Sequence, residues 1–227
     1  MSVILSLETS TDVCSVALYD GKRLLGDAIL HEPQAHAARL APLIDEIRQT
    51  SGLDFGKLDA VAVSKGPGSY TGLRIGTSTA KGLCYALDIP LIAVGTLELM
   101  AYQATTFNLE NALLCPMIDA RRMEVYCMIT DATLNVLEPV AARIVDEATF
   151  QELLQHNRVL FFGNGAAKCR DVVRHSNAVF LDGVVPLAKS LGEIAFEKYA
   201  NGEFEDLVEF RPMYLKEFVA KKAGSGI

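Results

Sequence analysis

The same strand pattern is written into this chain twice. Val3-Ile4-Leu5-Ser6-Leu7 is an apolar run of strand length, Cys14 to Tyr19 a second and Leu24 to Leu30 a third, with Asp20-Gly21 as the hairpin turn. From Leu113 the series returns as Leu114 to Ile118, Glu124 to Thr130, the turn Asp131-Ala132-Thr133, and Val136 onward. Moving the first segment along by 111 residues places Glu8 on Asp119, Leu18 on Ile129 and Asp20 on Asp131. This is an architectural repeat rather than a solenoid period. It predicts two α/β lobes, 1–106 and 107–227, each opening with three meandering strands and each carrying a carboxylate at the end of the first strand.

The segments between the strands alternate in the α/β manner. Leu40, Leu43, Ile44 and Ile47 recur at helical spacing and predict a helix over 35–50. A strand over 59–64, a helix over 71–87, a strand over 90–94 and a helix over 96–104 follow. The second half continues with a helix over 149–155, a strand over 159–162, the turn Gly163-Asn164-Gly165, a helix over 166–174 and a strand over 178–181. A last helix over 187–201 keeps Leu187, Leu191, Ile194, Ala195 and Tyr199 in register, and Lys221 to Gly226 reads as a frayed tail.

Half of the 227 residues are hydrophobic, ample for a buried core. With 21 basic against 28 acidic residues the net charge is −7, which makes a poor stand-alone nucleic-acid binder. Any RNA role is expected to run through a partner or a local patch. Five scattered cysteines without a C-x-x-C pair suit buried free thiols in a reducing compartment. The N-terminus lacks a basic lead, and no apolar run approaches the ~18 residues of a membrane span, so a cytoplasmic protein is expected.

Two turns invite a phosphate. Glu8-Thr9-Ser10-Thr11-Asp12 lies where two-lobed ATP-binding folds cup phosphates, although no glycine occupies it and a hydrogen-bonded turn is the simpler explanation. The segment Ser64 to Leu83 reads as strand end, glycine-rich turn and helix. It is not a P-loop, because Lys81 is followed by Gly82. Gly66, Gly68 and Gly72 resemble a dinucleotide fingerprint, but the next strand runs into Val94-Gly95-Thr96 without the required acid. Within the helix, Gly72, Gly76 and Ala80 form one small-residue row and Thr79, Gly82 and Ala86 another. Interior glycines weaken a helix by roughly 0.5–1 kcal/mol each against alanine, so a backbone is expected to pass close by, from the protein's own sheet or from a partner helix.

Asp119-Ala120-Arg121-Arg122 can serve an anion or a surface ion-pair cluster, and Gly163 marks another turn that a nucleotide could approach. His31 and His36 are separated by Pro33, which breaks the helical face a zinc pair needs; no metal site is expected.

Leu7-Glu8-Thr9-Ser10, Gly66 to Gly76, Ile118 to Tyr126 and Arg211-Pro212-Met213-Tyr214-Leu215 together resemble the bacterial TsaB (YeaZ) family, along essentially the whole chain. The resemblance implies two ribonuclease-H-like lobes of the actin-like, sugar-kinase and Hsp70 superfamily, with mixed sheets flanked by helices. It further implies a non-catalytic subunit for N6-threonylcarbamoyladenosine formation at position 37 of tRNAs reading codons that begin with A. The paralogue TsaD performs the transfer and the ATPase TsaE docks on the TsaB–TsaD pair. The paralogue's metal-binding histidine pair has no counterpart in Gly95 to Met100.

By the same resemblance, dimerisation uses the two N-terminal helices, here 35–50 and 71–87. The expected interface residues are Leu40, Leu43, Ile44, Ile47, Leu73, Ile75, Gly76, Thr79 and Leu83. The chain alone is expected to form a homodimer, to touch tRNA only within the complex, and to have no catalytic residue and no intrinsic cofactor. ATP or ADP at the interface with TsaD stays open, with Glu8, Thr9, Ser10, Asp119, Arg121 and Gly163 as the nucleotide-proximal candidates. The alternative reading is an independent ATPase or small-molecule kinase that uses Glu8, Thr9, Asp119 and Gly163.

Overall fold

The computed structural model describes residues 2–216. Strands β1 (Val3–Glu8), β2 (Cys14–Asp20) and β3 (Arg23–Leu30) form an antiparallel meander. Helix α1 (His36–Ser51) then carries the chain to β4 (Ala60–Ser64), which lies parallel to β1. Helix α2 (Tyr70–Leu87) leads to β5 (Leu91–Val94), parallel to β4, giving the order β3-β2-β1-β4-β5. The central strands β1 and β4 are buried almost throughout, which is why they read as continuous apolar runs.

The second half repeats this plan. Its strands are β6 (Leu113–Asp119), β7 (Glu124–Thr130), β8 (Val136–Ile144), β9 (Val159–Phe162) and β10 (Ala178–Leu181), with helix α4 (Gln151–His156) before β9. Their order is β10-β9-β6-β7-β8, and β6, β9 and β10 run parallel. The turn between β6 and β7, 120–123, is one residue shorter than its counterpart 9–13. One expected element changes. The predicted helix over 166–174 is a single 3-10 turn, Ala167–Cys169, followed by loop. Ala166, Cys169 and Val173 are buried as helical spacing requires, and one tight turn suffices to seat them in the second core.

Two helices cross between the halves. Helix α3 (Thr96–Thr105) buries Leu97, Met100, Ala101 and Ala104 against Leu114, Ile118 and Phe162 of the second sheet. Helix α5 (Ala188–Ala200) buries Leu191 and Ala195 against Ile4, Ala60, Ala62 and Ile92 of the first. Each half therefore lends its last helix to the other half's sheet, so packing does not follow a division at 106/107.

After α5 the chain returns to the first sheet, where Glu205 N–H donates to Leu91 O at 2.9 Å. A strap, 206–216, then runs along α2. Lys81 Nζ donates to the carbonyls of Val208 and Phe210, and Phe210 enters the first core. Met213 N–H reaches Lys65 O at 2.6 Å, and Lys216 pairs with Glu124 at the start of β7. Residues 221–226, expected to fray, lie outside the described residues. No described helix is long and apolar enough to cross a membrane.

Candidate functional site

The turn after β1 is closed by the protein's own helix. Glu8, Thr9 and Ser10 are fully buried. Ser69 caps α2 by accepting from Gly72 N–H, and its own N–H donates to Ser10 O at 2.7 Å. Thr9 Oγ1 donates to Gly72 O at 2.8 Å, spanning turn and helix. A Cβ on Gly68 would stand 2.2 Å from Ser10 O, one on Gly72 2.1 Å from Thr9 O, and one on Gly76 2.3 Å from Thr9 Oγ1. The two glycines of the first small-residue row of α2, Gly72 and Gly76, are thus explained by close approach of the β1–β2 turn, and no side chain larger than hydrogen fits at these contacts.

Glu8 sits at the base of this joint. Its Oε1 accepts from Ser10 N–H at 2.6 Å, and burial raises its carboxyl above the ordinary 4.5, offset in part by bonds from Ser10. A carboxyl lifted by desolvation is a poor anchor for a cation.

The corresponding turn of the second half is open. Asp119 pairs with Lys168, accepts from Arg121 N–H at 2.9 Å, and its own N–H donates to Asn164 Oδ1. Arg121 and Arg122 both take left-handed backbone conformations, φ 70° and 51°, and both side chains are exposed. Consecutive non-glycine residues in that region store strain. Gly163, at φ 101°, packs against Met117 O, where a Cβ would come within 2.3 Å. Among the described residues, no hydrogen bond or ion pair joins Glu8, Thr9 or Ser10 to Asp119, Arg121 or Gly163. The structure leaves the six candidates as two separate turns.

The helical candidates divide by face, and this corrects the expectation. Leu40, Ile44 and Ile47 of α1 are buried in the first core, and Leu73 and Gly76 of α2 also face inward. Their spacing marks the side that covers the sheet, so they offer no surface to a partner. Leu43, Ile75, Thr79 and Leu83 are half-buried, with Leu43, Ile75 and Leu83 packed on the rim of that core. Gly82, from the second small-residue row, is exposed, and a methyl added there would meet none of the described residues within 4 Å; Tyr85 beside it is 83% exposed. Spacing does not mark Tyr85, because a lone aromatic among small residues carries no periodicity.

All five cysteines are free and buried, and burial pushes the Cys14 and Cys84 thiols up to about 11. No three His, Cys, Asp or Glu side chains converge at a metal-holding position among the described residues.

Two five-stranded sheets of one topology, with helices exchanged between them, define a two-lobed α/β protein of the actin-like class. The activator of 2-hydroxyisocaproyl-CoA dehydratase from Clostridium difficile shares this fold at a TM-score of 0.52 and 9% identity, over 90% of this chain and 98% of that one. YeaZ from Pseudomonas aeruginosa superposes at a TM-score of 0.78 with 28% identity, covering 95% of this chain and all of that one. The family model described as TsaD, tRNA N6-adenosine threonylcarbamoyltransferase, matches residues 31–223. Over 225 residues, 96% of each chain, the sequence is 33% identical to the tRNA threonylcarbamoyladenosine biosynthesis protein TsaB of Escherichia coli K12. This chain belongs to the TsaB family and is related to the TsaD transferases.

Proposed function

We propose that this chain is a non-catalytic partner subunit in the formation of N6-threonylcarbamoyladenosine at position 37 of tRNAs that read codons beginning with A. It pairs with TsaD, the pair receives TsaE, and tRNA is engaged only within that complex. Pairing uses α1 and α2; alone, in the cytoplasm, the chain forms a homodimer through the same two helices, and any ATP or ADP lodges at the interface with TsaD.

The observation that carries this reading is the closed β1–β2 turn. Gly68, Gly72 and Gly76 bring the backbone of α2 onto Thr9 and Ser10, so the place where a nucleotide-using relative would cup phosphate is filled by the chain itself. The exposed Gly82 surface of the same helix supports a partner approaching from outside. The test is reconstitution of tRNA modification with TsaD, TsaE and an enzyme that supplies the threonylcarbamoyl group as its adenylate. The expected outcome is modification only when this chain is present, with no turnover by the chain alone. Full activity without it would overturn the proposal.

A further inference from the structure

Between the strap and α2 lies an open groove of about 350 Å³ that neither the fold nor the partner reading accounts for. Among the described residues three cations line it, Arg74 and Lys81 from α2 and Arg211 from the strap, and no acidic side chain does. In a chain of net charge −7 that concentration of positive charge stands out.

Each cation keeps donors to spare. Lys81 has three N–H groups and uses two on the Val208 and Phe210 carbonyls. These bonds hold its ammonium at the groove wall. Arg74 donates to Tyr70 Oη at 3.1 Å and lies 5.4 Å from that ring's centre, leaving most of its fork unused. Arg211 is exposed and makes no hydrogen bond or ion pair among the described residues. Thr77, 6% exposed, lines the same groove with a buried hydroxyl that has no partner among the described residues. The Tyr70 and Tyr214 rings, also in the lining, meet at 4.9 Å and 42°, an aromatic flank beside the charges.

We propose that the groove between α2 and the strap is a binding site for a phosphate-bearing anion, held by Arg74, Lys81 and Arg211 and flanked by the Tyr70–Tyr214 pair. Two guanidinium forks and an ammonium converging on one concave space suit a tetrahedral anion with several acceptor oxygens better than a single carboxylate. The volume lies at the small end of ligand cavities and admits inorganic phosphate or a nucleoside monophosphate. The groove lies on the strap side of α2 and does not depend on the partner reading.

The test is calorimetric titration of the full chain at low salt with inorganic phosphate, with AMP and with succinate. Saturable binding of phosphate or AMP is expected, weakened at least tenfold in Arg74→Gln and in Arg211→Gln. It should be unchanged in Arg170→Gln, whose guanidinium pairs with Asp182 elsewhere. Circular dichroism of each variant confirms folding. Binding of AMP at least tenfold tighter than phosphate, and weakened by Tyr214→Ala, identifies a nucleotide ligand. Equal binding of the two, indifferent to Tyr214, identifies free phosphate. Absence of saturable binding, succinate binding as tight as phosphate, or full binding by the arginine variants would each overturn the proposal.

Discussion

Replacing Gly82 with alanine adds one methyl to α2 at a point where none of the described residues lies within 4 Å. In the free protein the change removes the entropic penalty of glycine inside a helix, so Gly82→Ala should stabilise by about 0.5–1 kcal/mol. For a chain of this size that is a rise in Tm of roughly 1–4 °C. At the proposed interface the sign reverses. Forcing a methyl into a closely packed helix crossing costs about 1–3 kcal/mol, which is roughly a 5- to 150-fold loss of affinity. Thermal unfolding of the chain alone, diluted until it is monomeric, and a binding titration against TsaD read the two effects separately. A raised Tm with unchanged affinity would show that no partner backbone passes Gly82. A lowered Tm would show that the surface there is not open, and the reasoning would fail at its first step.

Gly72→Ala is expected to behave oppositely, because its Cβ would stand 2.1 Å from the Thr9 carbonyl. A loss of about 3 kcal/mol in urea unfolding is expected; a neutral result would mean the joint between turn and helix is loose. Glu8 has its folded pKa raised above the ordinary 4.5 by burial, so the unfolded state releases its proton first as pH rises. Its contribution is therefore most favourable below pH 4.5 and declines as pH climbs through the raised folded value. Glu8→Gln, which cannot ionise, should gain stability relative to the parent between pH 4 and pH 8, and a pH-independent difference would contradict this. The five buried thiols should resist a water-soluble disulfide reagent at pH 8 in the native protein and all react after unfolding. Prompt labelling of the native chain would refute the burial of these side chains.

Much of the fold is legible in the sequence because its signals are local. The apolar runs of β1, β4, β6 and β9 lie where the sequence places them, and α1 and α2 start and end within one residue of expectation. The helix expected over 166–174 fails because three buried positions at helical spacing look alike whether a helix or a single 3-10 turn carries them. The site is less legible. Leu40, Ile44, Ile47 and Leu73 point inward, whereas their periodicity records only the presence of an apolar face and not what covers it. The convergence of Arg74 and Lys81 with Arg211 has no local signature, since most of the chain separates them.

The sequence by itself determined the duplication, the strand and helix order, and the need for close approach along α2, because each is written in nearest-neighbour spacing and residue size. Only the tertiary structure decided what approaches. Gly76 meets Thr9 of the protein's own turn, whereas Gly82, on the same helix, meets nothing among the described residues. It also decided that α3 and α5 exchange sheets and that the strap closes over the basic side of α2. The physical reason is range. Periodicity says that a face must be covered, but which distant surface covers it depends on how both sheets, the crossing helices and the returning strap pack together.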